Sequence, residues 1–66
     1  MKINRYNLKV LTGNVTYDVS ILAHGFSYSE AGCYSFYERD SESRKTEVAY
    51  YPIQKTIIES IYYDVK

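Results

Sequence analysis

The sequence predicts an all-β domain, and three features carry that prediction. Apolar and polar residues alternate with period two along the first third of the chain. β-Branched and aromatic residues dominate these runs, and glycine, asparagine and proline stand between them. The architecture expected is a five-stranded antiparallel meander, partly closed as a small barrel.

The elements follow in order. Tyr6, Leu8 and Val10 share one face of a first strand, with Arg5, Asn7 and Lys9 on the other. Thr12-Gly13-Asn14 interrupts with residues that accept the positive φ of a tight hairpin turn. Val15, Tyr17, Val19, Ile21 and Ala23 then alternate with Thr16, Asp18, Ser20 and Leu22, the clearest strand in the chain. His24-Gly25 punctuates, Phe26 and Tyr28 read as a short strand, and Ser29-Glu30-Ala31-Gly32 turns the chain. Cys33 to Arg39 reads as a long strand, Asp40 to Lys45 as a polar hairpin loop, and Thr46 to Tyr51 as a further strand. Pro52, with no N–H to give to a ladder, ends it.

The last segment carries two signals. Ile53, Ile57, Ile58, Ile61, Tyr62 and Val65 fit helical spacing, whereas Thr56-Ile57-Ile58 and Ile61-Tyr62-Tyr63 are β-branched and aromatic. A 3₁₀ turn over Ile53 to Lys55 leading into a closing strand satisfies both. The alternative is an α+β fold with a C-terminal helix from Ile53 to Asp64 on a four-stranded sheet. Tyr17, Val19, Ile21, Phe36, Val48 and Ile57 are the expected core.

Residues 1–66 are enough for one small domain, and a chain of this size has a marginal core. Cys33 is the only cysteine and His24 the only histidine, so neither an internal disulfide nor a four-ligand zinc site can staple it. An aromatic core of nine tyrosines and two phenylalanines is the remaining device, with self-association as a second route. The formal net charge is zero, which argues against a dedicated polyanion binder. No stretch approaches the roughly 20 apolar residues of a membrane-spanning helix. Met1 to Leu11 lacks the apolar core of a secretory signal, so the cytoplasm is the expected compartment.

The order of pieces in Gly32-Cys33-Tyr34-Ser35-Phe36-Tyr37, Val48-Ala49-Tyr50-Tyr51-Pro52 and Thr56-Ile57-Ile58-Glu59-Ser60-Ile61 resembles small phage-encoded proteins built as SH3-like or Sm-like β-barrels. The resemblance covers the second half of the chain and lies in residue type rather than in a fixed motif. It implies a short barrel of viral or prophage origin and brings no site residues. Barrels of this shape bind nucleic acid, peptides or host proteins, and fold alone does not choose among them.

Nothing in the sequence assembles a catalytic cluster. His24 has no partner at a recommending spacing, Cys33 has no positive neighbour and reads as a small buried filler, and the carboxylates are scattered. No enzyme activity, metal or cofactor is expected. The stretch Glu38 to Glu47 holds seven charged residues in ten, of both signs, and reads as a solvated loop.

Binding is the expected role, to a host or viral protein through a tyrosine-rich surface. Strand parity puts Tyr34 and Tyr37, Tyr50 and Tyr51, and Tyr62 and Tyr63 on opposite faces, so one core cannot hold both members of each pair. Tyr37, Tyr51 and Tyr62, with Arg39 close by, are the outward candidates for contact with that partner. That loops cover these rings, leaving only the hydroxyls wet, stays open beside it. The alternative role is binding of single-stranded nucleic acid by Arg5 and Lys9 beside an exposed ring such as Tyr37.

Overall fold

The computed structural model describes residues 2–65 and is all-β, with one short 3₁₀ turn. Six strands, one more than the five expected, run in the order β1 (Ile3–Thr12), β2 (Val15–Ala23), β3 (Gly25–Tyr28), β4 (Cys33–Arg39), β5 (Lys45–Pro52) and β6 (Thr56–Val65). They pair antiparallel in two three-stranded sheets, β2-β1-β6 and β3-β4-β5, and neither sheet closes on itself. The expected C-terminal strand is present and the helical alternative is not; Ile53–Lys55 forms the 3₁₀ turn before it.

Local chemistry explains the joints. The first hairpin turns in two residues, with Thr12 opposite Val15, and only Gly13 of the pair has positive φ (61°), as a type II′ turn requires. Gly32 takes φ 79° to close the β3–β4 turn, where its N–H donates to the Ser29 carbonyl at 3.0 Å. At the β4–β5 hairpin, Oδ1 of Asp40 accepts the N–H groups of Glu42 and Arg44 at 2.9 and 3.0 Å, and Ser43 adopts φ 65°.

The sheets meet at His24, the single residue between β2 and β3. Its N–H donates to the Tyr37 carbonyl at 2.8 Å, so the chain passes from the first sheet to the second without losing a ladder bond. On the other side the 3₁₀ turn joins β5 to β6, anchored where the Ile53 N–H donates to the Gly32 carbonyl at 3.0 Å.

The inner faces pack a small core of Tyr6, Leu8, Ile21, Ala23 and Phe36, with Phe36 and Leu8 almost wholly enclosed. Burial of side chains this large contributes roughly 1.5–3 kcal/mol each. Tyr6 reaches across to Phe26 and Phe36, with ring centroids 5.6 and 5.2 Å apart. Val19 packs against this core, and Ile21 and Phe36 are part of it, as expected.

The other three expected core residues are solvent-exposed, for two different reasons. Tyr17 shares the face of Ile21 but sits on the edge strand of its sheet, paired with Val10 near the turn end of the hairpin, where it stays exposed. Val48 and Ile57 lie on the wrong side of their strands. Phe36 pairs with Ala49 while Tyr37 pairs with Glu47, so Val48 is the extra residue of a β-bulge and alternation resets there. In β6 it is Ile58 that pairs with Leu8, and Glu59 is a second bulge, after which Ile61 returns to the core.

Candidate functional site

The outer face of the first sheet is crossed by three rows fixed by register. Leu22, Arg5 and Tyr62 form one; Ser20, Asn7 and Ser60 the next; Asp18, Lys9 and Ile57 the third, with Glu59 beside it at the bulge. Asn7 donates from Nδ2 to Ser60 Oγ at 3.1 Å, which ties β1 to β6 in the middle row. Lys9 lies 2.8 Å from Asp18 and 3.8 Å from Glu59. The hydrogen bond and charge of Asp18, reinforced by Glu59, raise its pKa above the ordinary lysine value. A shallow open cleft of about 410 Å³ runs between these side chains.

The first row is the apolar end of this face. Tyr62 is 57% exposed and Leu22 42%, with Arg5, also exposed, between them. Tyr63 next along the chain is 72% exposed. The bulge at Glu59 shapes the face, since it sets the phase that turns Tyr62 outward.

The remaining candidates lie on the second sheet. Tyr37 is half-buried on its outer face, its ring laid against Gly25, where an added Cβ would come within 2.7 Å of Tyr37 Cζ. Arg39 and Lys45 sit over the same ring, at 5.3 and 4.4 Å from its centroid. Tyr51 is turned inward, against the parity expectation. The Val48 bulge places Ala49 and Tyr51 on the core side, where the Tyr51 ring lies 6.4 Å from that of Phe36. Tyr50 takes the outer position and donates its hydroxyl to Ser29 Oγ at 2.9 Å.

The structure therefore brings Tyr37 together with Arg39, and Arg5 together with Tyr62, on two separate sheets. It does not bring Arg5 or Lys9 beside Tyr37. Leu22, Ser60 and Glu59 complete the first-sheet face and were not singled out by sequence; strand pairing, rather than any motif, assigns them there. His24 has a structural contact, accepting the Arg39 backbone N–H on Nδ1 at 2.7 Å. Cys33 is half-buried rather than enclosed, in an open groove with Gly32, Pro52 and Ile53. Among the described residues no group of three or more His, Cys, Asp or Glu side chains converges as a metal ion would need, and no helix is long and apolar enough to cross a membrane.

In comparison with known proteins, the chain matches no family model, no curated protein and no solved structure.

Proposed function

We propose that the chain is a small phage-type accessory protein that binds a host or viral protein through the outer face of its first sheet and modulates that partner by covering a surface. The observation that carries this reading is the cross-strand row Leu22–Arg5–Tyr62, an aromatic and an aliphatic side chain flanking a guanidinium that has no carboxylate partner among the described residues. Tyrosine and arginine are the residues in which interface energy concentrates. The charges of the face, Arg5 and Lys9 against Asp18 and Glu59, cancel, which suits a protein surface better than a polyphosphate.

Size and shape favour the same reading. The chain exposes 4772 Å², against about 4,300 Å² for a compact monomer of 7.7 kDa. Its radius of gyration is 12.2 Å, against roughly 11 Å for a compact domain of 66 residues. The phage-type origin rests on the residue-type resemblance of the second half. The bend at His24 and the 3₁₀ link between β5 and β6 support reading the two sheets as an SH3-like small barrel.

Single-stranded nucleic acid is the second reading. The adjacency of Arg5 and Tyr62 favours it; the two carboxylates on Lys9 weaken it. Affinity capture from bacterial lysate with wild-type protein, Tyr62→Ala and Arg5→Ala separates the two. The protein reading expects a nuclease-resistant partner whose recovery falls with both variants. A partner lost on nuclease treatment, or one retained equally by both variants, overturns it.

A further inference from the structure

The β4–β5 hairpin holds an arrangement the reading above leaves unused. Arg39 and Lys45 are a directly paired cross-strand couple, with like charges facing each other at the last rung of the ladder. Such pairs destabilise a sheet. Both lie over the Tyr37 ring, and among the described residues neither has a carboxylate within salt-bridge distance.

This isolation is notable in a segment so rich in acids. Asp40 is committed to the Glu42 and Arg44 backbone and lies 3.0 Å from Arg44 Nε. Glu42 lies 3.3 Å from Arg44 Nη2. Glu47 Oε2 accepts the Ser35 hydroxyl at 2.6 Å, and Glu38 alternates to the opposite face of β4. Arg39 gives one nitrogen, Nη1, to the Ser43 carbonyl at 2.8 Å, which steadies the guanidinium, and its other donors have no partner among the described residues. Two cations are thus held beside one another on an aromatic platform with no anion supplied by the described residues.

We propose that Arg39 and Lys45 form a receptor for a carboxylate carried by an acidic segment of the protein partner; the proposal rests on the protein-binding reading above. A guanidinium and an adjacent ammonium suit a single carboxylate. Two features favour an acidic protein segment over nucleic acid. A nucleic-acid strand needs a track of cations along successive phosphates, whereas this hairpin offers a single Arg39–Lys45 pair, enough for one carboxylate. Val48 and Tyr50, exposed along β5 beyond Lys45, provide apolar surface for the residues that follow the acid.

The test uses fluorescence anisotropy of the full chain with a labelled, blocked octapeptide that carries adjacent glutamates followed by leucines. Its glutamine counterpart and an oligo(dT) octamer serve as competing probes. The acidic peptide is expected to bind about tenfold tighter than either. Lys45→Gln and Arg39→Gln should each weaken it several-fold, whereas Tyr62→Ala leaves it unchanged. Lys45 is exposed, so its substitution reports binding without a folding penalty. Absent or equal binding of the acidic and glutamine peptides, tighter binding of the oligonucleotide, or insensitivity to Lys45→Gln overturns the proposal. Loss with Tyr62→Ala alone moves the acid to the first sheet, overturning the receptor while sparing the protein-binding reading.

Discussion

His24 Nδ1 accepts the backbone N–H of Arg39 at 2.7 Å, and this side chain continues the ladder of β4 past the point where β2 leaves for the other sheet. An accepting Nδ1 puts the proton of the neutral ring on Nε2. His24→Ala leaves the Arg39 N–H without its partner and should cost about 1 kcal/mol. His24→Asn carries an acceptor at the same distance from the backbone and should recover part of the loss. Urea unfolding of the two variants checks this; equal midpoints contradict it.

Gly25 and Tyr37 form a second coupled pair. A methyl at position 25 meets the distal ring atoms of Tyr37, so Gly25→Ala must push the ring from its place and disturb the platform under Arg39 and Lys45. The expected cost is about 1–3 kcal/mol in the wild type. It should largely vanish in a Tyr37→Ala background, because the clash has gone. An unchanged cost in that background would place the strain elsewhere.

Thr56 is buried at the start of β6, and its Oγ1 has no hydrogen-bond partner among the described residues. Thr56→Val keeps the β-branched shape suited to the strand and removes the desolvated hydroxyl. A gain of about 1 kcal/mol is expected. A lower thermal midpoint would reveal a partner for that hydroxyl.

Asp40 links stability to acid. Hydrogen bonds from the Arg44 and Glu42 N–H groups and from the Arg44 side chain hold its carboxyl below the ordinary value of 3.8. A carboxyl depressed on folding adds stability above its unfolded pKa, and that contribution disappears as pH falls through the lower folded value. Amide shifts of Glu42 and Arg44 should therefore titrate together, with a midpoint below 3.8. A midpoint at or above 3.8 contradicts the loop geometry.

The strands and turns were legible in the sequence because period two, glycine and proline each have a direct backbone cause. Cys33–Arg39 and the 3₁₀ turn at Ile53–Lys55 have the expected bounds. The bulges were not legible. One extra residue at Val48 changes which tyrosine of the Tyr50/Tyr51 pair faces the core, and nothing in Glu47-Val48-Ala49 announces it. The extra residue at Glu59 has the opposite effect on the outcome. Ile57 begins β6 in the unexpected phase, and the bulge restores Tyr62 to the outward position that simple alternation assigned it. Tyr37 lies on the face that alternation assigns it, but its packing on Gly25 depends on strand pairing across twelve residues. Pairing also decided the site: Arg5 and Tyr62 are far apart in the chain and adjacent only because β1 and β6 are.

The proposed contact surface for a partner protein is the outer face of the first sheet around Tyr62. A photoreactive benzoylphenylalanine placed at position 62, and separately at the exposed positions 17 and 28 as controls, tests it directly in bacterial cells. One discrete adduct is expected from position 62, weaker or absent from 17 and 28, and lost when Arg5→Ala is added. The mass of the adduct distinguishes a foreign partner from a second copy of the chain. Equal labelling at all three positions, or none at position 62, would rule this surface out as the contact.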